Sequence, residues 1–158
     1  MQNITPFLWF DSQAEEAMNF YISIFKDSKV NRVTRYGEAG PGTPGTVMSV
    51  EFTLNGTDFY ALNGGPLFKF SPATSFFIHC KTQEEVDHYW EKLGEGGKPN
   101  QCGWLDDKFG VTWQIVPDAL GRLLNDPDKE KAKRVMQAMM KMTKLDVAKL
   151  EEAAYEQV

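Results

Sequence analysis

The stretch FLWFDSQAEEAMNFY, Phe7–Tyr21, returns in altered form as FFIHCKTQEEVDHYW, Phe76–Trp90. Both stretches contain a short apolar run, a Glu-Glu pair and an aromatic pair at the same spacing. Self-similarity of this kind is the sequence signature of a repeated structural unit. A chain of 158 residues is long enough for one ordinary domain or for two small halves. The repeat therefore predicts two strand–helix–sheet units of one architecture.

Apolar runs and capping motifs predict how each unit begins. Ile4–Phe10 is short, apolar and followed by Asp-Ser, which predicts a buried strand. Ser12-Gln-Ala-Glu matches a capping box, and apolar residues recur at helical spacing after it, so we expect a helix over Ser12–Phe25. The second unit repeats this order, with a strand over Ser75–Cys80 and a second capping box that begins at Thr82.

Further strand and turn signals complete each unit. The predicted strands are Val30–Tyr36, Thr46–Leu54 and Thr57–Leu62 in the first unit, and Gln101–Leu105 and Val111–Val116 in the second. Asn55-Gly56 predicts a tight hairpin, because both central residues of such a turn need positive φ. Gly37–Gly45 is rich in glycine and proline and predicts a loop.

The end of the chain lacks strand signals and predicts a helical extension. Asp126-Pro127 is expected to start one helix, with Asp as the cap and Pro at the first helical position. Thr143 with Asp146 is expected to start another. The first of these helices carries an apolar stripe: Val135, Met136, Met139, Met140 and Met142. Such a stripe either packs against the sheet or a second subunit, which we expect, or forms an adaptable binding surface.

These signals divide the chain into three parts of a single structural domain. We place the first module at residues 1–66, the second module at residues 67–117 and the helical extension at residues 118–158.

Composition restricts the class of protein. The formal net charge is −5 and no basic stripe is present, so we expect no nucleic-acid partner. Cys80 and Cys102 are the only cysteines and lack metal-type spacing, which favours two free thiols in a reducing compartment. We find no signal-peptide pattern and no apolar run long enough to span a bilayer. We therefore expect a cytoplasmic protein without a membrane partner.

Four motifs resemble the PhnB-like group of the glyoxalase/bleomycin-resistance/dioxygenase superfamily, also called the vicinal-oxygen-chelate superfamily. They are Thr5–Tyr21, Phe59–Pro66, Cys102–Gln114 and Arg134–Met142. This group is often labelled the 3-demethylubiquinone-9 3-methyltransferase domain. The resemblance implies an α+β fold in which two βαβββ modules form a half-open curved sheet or barrel around a cavity. Here a C-terminal helical extension would follow the modules. The resemblance also implies a homodimer.

In metal-dependent relatives, the resemblance implies His or Glu ligands on the first and last strands of the modules. The matching positions here are Thr5, Ser75, Gln114 and a position between Tyr60 and Leu62. Divalent ions prefer several converging imidazole or carboxylate groups. The matching positions offer neither, so we expect no metal and no cofactor.

The methyltransferase label is not expected to describe an activity. Methyl transfer from S-adenosylmethionine usually shows a glycine-rich loop between a strand and a helix in a doubly wound α/β pattern. The glycine-rich segment Gly37–Gly45 runs into a predicted strand instead.

We therefore predict a metal-free protein that binds an unknown small organic ligand in an apolar cavity with few polar groups. The candidate ligand-binding residues are Trp9, Phe59, Ser75, Trp104, Trp113 and Gln114. For each aromatic member taken alone, packing in the core is the favoured interpretation. Gln114 stands out because a Gln within an apolar strand needs hydrogen-bond partners if it is buried.

Two alternatives remain open. The chain could be a lyase, isomerase or oxygenase-type enzyme of the same superfamily, in which case the catalytic residues are unknown and His79 and Asp106 are the candidates for acid–base chemistry. It could instead be a protein–protein module that uses its methionine-rich end.

Overall fold

The computed structural model describes residues 2–155, which form eight strands and five helices. The first module contains β1 (Phe7–Phe10), α1 (Ala14–Ile24), β2 (Lys29–Arg35), β3 (Val47–Leu54) and β4 (Thr57–Asn63). The second contains β5 (Phe76–Cys80), α2 (Gln83–Gly94), β6 (Lys98–Pro99), β7 (Trp104–Asp106) and β8 (Thr112–Pro117). The helical extension contains α3 (Asp118–Leu124), α4 (Lys129–Met139) and α5 (Val147–Tyr155).

Each module forms one four-stranded sheet. The strand orders are β1-β4-β3-β2 and β5-β8-β7-β6, so the two sheets have the same topology. In each sheet the first strand of the module runs parallel to the last, and the other neighbours are antiparallel. The chain divides into two compact units, of which the first ends at Phe70 and the second begins at Ser71 and includes the extension. The predicted α+β class, the two βαβββ modules and the C-terminal helices are confirmed.

Helix α1 covers one face of the first sheet. Its buried residues recur at helical spacing: Ala14, Ala17, Met18, Tyr21 and Ile24. Tyr21 packs near Phe52 of β3, and Phe52 stacks on Phe59 of β4 with ring centroids 5.6 Å apart. Fully burying an aromatic side chain contributes about 1.5–3 kcal/mol, so this layer is a main source of stability for the first module.

The two module helices begin in different ways. At α2 the predicted capping box is present: Thr82 Oγ1 accepts from Glu85 N at 3.2 Å, and Glu85 Oε2 accepts from Lys81 N at 2.9 Å. At α1 the predicted capping box is wrong, because the residue before the helix is Gln13 and it makes no side-chain cap bond.

Asn63 replaces the missing cap of α1. It ends β4, the neighbour of β1 in the sheet, and its Oδ1 accepts from Ala14 N at 2.8 Å. Its Nδ2 donates to Val47 O at 3.2 Å, so one amide joins the helix start to β3. The helix amide is therefore satisfied by a residue 49 positions away, which no local motif could indicate.

Several boundaries differ from the sequence-based expectation. Strand β1 starts at Phe7, and Ile4 lies outside it with 86% of its surface exposed. Cys102 and Gly103 both have positive φ and form a turn before β7, so β7 is shorter than predicted. The cap of α4 is Asp128 rather than Asp126, because Asp128 Oδ1 accepts from the amides of the first helical turn. The Asn55-Gly56 hairpin is confirmed, with φ of 46° and 85°.

The helical extension packs on the second module of the same chain. Its core joins residues from β8, α3, α4, α5 and the loop before α5: Val116, Leu120, Leu123, Val135, Leu145, Leu150 and Ala154. Backbone bonds from Cys102 N to Met142 O and from Gly103 N to Thr143 O join the turn before β7 to the extension. Met139 and Met142 pack against this core, whereas Met136 and Met140 remain exposed. Within residues 2–155 no helix is long and apolar enough to cross a membrane.

Candidate functional site

Strand alternation gives each sheet two faces with different roles. In the second sheet, Leu105, Trp113 and Ile115 lie on the face that packs against α2, and all three are buried. Their neighbours along the strands point the other way. We call that other face the far face of the second sheet, and it carries Ser75, Phe77, Trp104 and Gln114.

Three of these residues lie side by side on neighbouring strands. Gln114 of β8 is the register partner of Trp104 on β7 and of Phe77 on β5. An amide is therefore flanked by an aromatic side chain on each side. Trp104 and Gln114 are half-buried, and Phe77 is 48% exposed. The arrangement offers an amide group between two apolar surfaces that a ligand can reach.

Ser75 supplies the second polar group of this face. Gln114 Nε2 donates to Ser75 Oγ at 2.9 Å, which fixes the direction of the amide. Within residues 2–155 no donor bonds to Gln114 Oε1 and no acceptor receives the Ser75 hydroxyl proton. The pair therefore retains Gln114 Oε1 as an acceptor, and the Ser75 hydroxyl and the second Nε2 hydrogen as donors, for a molecule bound on the far face.

The two acid–base candidates lie at opposite ends of this face. His79 is exposed on β5, and its ring lies 4.8 Å from the ring of Phe77 between centroids. Asp106 is half-buried on β7, two residues after Trp104, and its Oδ1 accepts from Thr112 Oγ1 at 2.7 Å. Both residues thus lie on the far face, but they do not contact each other.

Trp113 and Phe59, two of the predicted ligand-binding residues, lie in the cores of their modules. Trp113 is 3% exposed and its Nε1 donates to Asp107 Oδ2 at 2.9 Å. Asp107 Oδ1 also accepts from the amides of Phe109 and Val111, so this buried carboxylate organises the turn between β7 and β8. Phe59 is 7% exposed and stacks on Phe52. Both face the helix of their module, so neither shares a face with Gln114.

Trp9 has a structural role in the first module. Its Nε1 donates to Gly65 O at 3.0 Å, and its ring packs edge-on against Phe68. A Cβ atom on Gly64 would overlap the indole ring, so the glycine allows this close approach. Trp9 is therefore held by the turn that follows β4.

The residues present do not fit the divalent metal that the fold family implies. Gln114, the strand residue that matches a ligand position, already bonds Ser75 through its amide. Across residues 2–155 no three His, Cys, Asp or Glu side chains converge as a metal site would require. The two thiols do not change this, because Cys80 is buried and burial raises its pKa to about 12, with Glu85 and Asp118 adding to the shift.

Phe77 is the site residue that the sequence analysis missed. Phe77 lies two positions after the candidate residue Ser75. Because alternate strand residues share a face, the position of Ser75 could have indicated that Phe77 lies on the same face.

The corresponding face of the first sheet differs in content. There Phe7, Tyr60, Glu51 and Arg32 lie in one row across β1, β4, β3 and β2. Phe7 packs edge-on against Tyr60 with ring centroids 5.7 Å apart, and Arg32 Nε lies 3.5 Å from Glu51 Oε2.

Comparison with known proteins identifies the family. The family model for 3-demethylubiquinone-9 3-methyltransferase matches residues 2–116. The chain belongs to this family. The PhnB protein of Bacillus cereus, which is described as such a methyltransferase, is 42% identical, with 73% of this chain and 99% of that chain covered and a TM-score of 0.68. No curated protein matches the chain.

More distant structures share the fold alone. A Pseudomonas aeruginosa protein is 18% identical, with 74% of this chain and 98% of that chain covered and a TM-score of 0.63. The fosfomycin resistance protein FosX of Mesorhizobium loti is 12% identical, with 72% and 90% covered and a TM-score of 0.52. This chain, the Bacillus cereus protein and FosX share the vicinal-oxygen-chelate fold.

The family name describes methyl transfer, but the glycine-rich loop of this chain does not have the arrangement that such chemistry usually uses. The segment 37–45 connects β2 to β3, which are antiparallel neighbours in one sheet. It is therefore a hairpin connection and not a strand-to-helix turn of a doubly wound fold.

Proposed function

We propose that the chain is a metal-free small-molecule-binding protein whose ligand lies on the far face of the second sheet. The single observation that carries the proposal is the Gln114–Ser75 pair, in which Gln114 lies between Trp104 and Phe77 and the amide oxygen and the hydroxyl hydrogen are uncommitted. The ligand is a small organic molecule with a flat apolar part and a neighbouring donor–acceptor edge, such as an amide or lactam.

The aromatic side chains support this choice of ligand. Trp104 and Phe77 flank the amide on the two neighbouring strands, and both are partly accessible. Binding sites commonly combine apolar walls with a few fixed polar groups. A flat ligand would bury its faces against the rings while its edge bonds Gln114 Oε1 and the Ser75 hydroxyl.

Residues 2–155 provide no metal-binding set, so hydrogen bonds would orient the ligand. FosX, named as a fosfomycin resistance protein, shares the fold, but its low identity does not transfer its ligand to this chain. We also propose that the protein forms a homodimer, and we propose no methyl-transfer activity for it.

The test uses the indole N–H signals of the four tryptophans, recorded by NMR while a set of aromatic amides and lactams is titrated. The Trp104 signal is assigned with Trp104→Phe. We expect a saturable shift of the Trp104 signal and none of the Trp113 signal, because Trp113 is buried on the opposite face. Equal shifts of both signals, or no saturable shift in the whole set, would contradict the proposal.

A matched pair of variants checks the polar group. Gln114→Leu removes the uncommitted acceptor, and we expect about a tenfold loss of affinity, since a hydrogen bond is worth about 0.5–1.5 kcal/mol. Gln137→Leu makes the same chemical change at an exposed position of α4 and should leave affinity unchanged. If both variants bind equally, Gln114 does not orient the ligand.

Native mass spectrometry of the purified protein tests the metal-free and dimeric parts directly. The expected species is a dimer without a metal-shifted mass, either bare or with an organic adduct. A metal-shifted mass that disappears with chelator would overturn the metal-free part, and a monomer would overturn the dimer.

A further inference from the structure

A cavity lies on the opposite side of the second sheet from Gln114 and the far face. It is a cleft of about 360 Å³ between the C-terminal half of α2 and the edge strand β6. Its lining consists of Trp90, Glu91, Gly94, Glu95, Pro99 and Leu105. Leu105 faces α2 together with Trp113, so this cleft and the far face are separated by the thickness of the sheet.

The floor and walls of the cleft are apolar. Leu105 is fully buried at the floor, and Pro99 of β6 is its register partner, so both face the same side. Trp90 is half-buried and forms the helix wall. Gly94 adds no side chain, and a Cβ atom there would reach to 3.6 Å from Leu105 Cδ2, which would reduce the free space.

The rim of the cleft concentrates negative charge. Glu91, in the last turns of α2, and Glu95, the residue that ends the helix, are both exposed and both line the cleft. Carboxylates are unfavourable at a helix C-terminus, where the macrodipole prefers cations. In the described part of the chain, no basic side chain forms an ion pair with either glutamate.

Three lysines lie near this rim, and in the described residues none of them forms an ion pair with it. Lys108 lies next to Gly96, and its Nζ is 5.5 Å from the centre of the Phe109 ring. Lys98 is the register partner of Asp106 and therefore points to the far face, away from Pro99 and Leu105. Lys92 lies two positions after Trp90, about 200° around the helix, and it forms no ion pair with Glu95, which follows it by three residues, in the described part of the chain.

We propose that this cleft binds an organic ammonium ion that carries a small apolar body. The cation would lie against the ring of Trp90, where aromatic faces attract cations, and beside the carboxylates of Glu91 and Glu95. Its carbon groups would lie against the exposed Pro99. The volume is within the range of small-molecule sites. An inorganic cation would use the carboxylates but not the apolar floor.

The experiment titrates choline into the full chain and follows the Trp90 indole N–H signal by NMR, assigned with Trp90→Phe. The comparison ligand is 3,3-dimethylbutan-1-ol, in which an uncharged carbon replaces the nitrogen of choline. We expect a saturable Trp90 shift with choline and at least tenfold weaker binding of the uncharged compound. Affinity for choline should fall as salt is added, because exposed charges are screened.

Charge variants test the rim with a matched control. The double variant Glu91→Gln, Glu95→Gln should lose at least tenfold in choline affinity. A control with Glu84→Gln and Glu130→Gln removes the same charge at exposed positions outside the cleft and should bind choline within twofold of the unchanged protein. All four positions are exposed, so folding should be unaffected.

Three outcomes would overturn the inference: no saturable Trp90 shift, equal binding of choline and its uncharged analogue, or an equal loss in the control variant. Gln114→Leu should leave choline binding unchanged. The ammonium cleft and the proposed function can therefore fail separately.

Discussion

The two modules have the same strand order but place different chemistry on equivalent rows of their sheets. In the first module the row contains Arg32, Glu51, Tyr60 and Phe7, and these side chains satisfy one another through an ion pair and an edge-on ring contact. In the second module the row contains Trp104, Gln114 and Phe77, and the amide bonds only Ser75.

In the next row on the same face, both modules contain a hydrogen bond between a threonine and an aspartate. Thr53 Oγ1 donates to Asp58 Oδ1 at 2.6 Å in the first module, and Thr112 Oγ1 donates to Asp106 Oδ1 at 2.7 Å in the second, with the strands exchanged. The difference between the rows therefore comes from side chains and not from the backbone. This is why we place the proposed ligand site on the second module and not on the first.

The largest expected effect tests the dependence of the second module on its extension. Leu145 is fully buried in the extension core and approaches Gly103 at the start of β7. Leu145→Ala should lower the free energy of unfolding by about 4 kcal/mol, measured by urea denaturation, because it leaves a cavity. Met140→Ala, at an exposed position, is the control and should change it by less than about 0.5 kcal/mol. A small effect of Leu145→Ala would mean that the extension is dispensable.

The next effect compares the turns that join the last two strands of each module. Asp107→Ala removes the acceptor of three donors, from Phe109, Val111 and Trp113, and should cost about 3 kcal/mol because buried donors lose their partner. Asn55→Ala in the first module should cost only about 1 kcal/mol, the penalty of a positive φ without glycine or asparagine. Equal losses in thermal unfolding would contradict this ranking.

The two helix caps provide a smaller difference. Asn63→Ala removes both the cap of α1 and the bond to Val47, and should cost about 2 kcal/mol in chemical denaturation. Thr82→Ala removes only the local cap of α2 and should cost about 1 kcal/mol. Ser12→Ala should hardly change the free energy of unfolding. A loss comparable to that of Asn63→Ala would show that Ser12 caps α1, contrary to the structure.

The smallest effect concerns a surface ion pair of α2. Hydrogen bonds from Lys144 and then Gln83 lower the pKa of Asp87, whose place in α1 is taken by the buried Met18. A lowered pKa stabilises the fold at neutral pH, and this contribution is lost as the pH falls below about 4 through the folded-state pKa. Asp87→Asn should cost roughly 0.5 kcal/mol at pH 7 and nothing at pH 2. A constant difference across that range would exclude the ion pair as its source.

The repeat, the hairpin and the helical extension were predictable because each depends on local pattern. The strand register of the site was not predictable, and the loops between the first strand and the helix of each module show why. Three residues separate β1 from α1, whereas two separate β5 from α2. Aligning the helices therefore places Phe7 on Phe76, although the sheet register makes Phe77 its equivalent.

This one-residue difference decides which predicted residues share a face. Ser75, Trp104 and Gln114 lie together on the far face. Trp113 is adjacent to Gln114 on the same strand and therefore points to the opposite face, into the core. Alternation alone could show that Trp113 and Gln114 are separated, but not which of them is buried. The long-range cap from Asn63 depends on strand order, which local sequence does not encode.

The tight packing of Trp9 over Gly64 has a consequence for how unfolding can be observed. Trp9 is the only tryptophan of the first unit, and the other three belong to the second. A protein that retains Trp9 alone would therefore report loss of the first unit by fluorescence, and one that retains Trp113 alone would report loss of the second. Coincident curves would show that the two units melt as one cooperative body, and separate curves would give each unit its own stability.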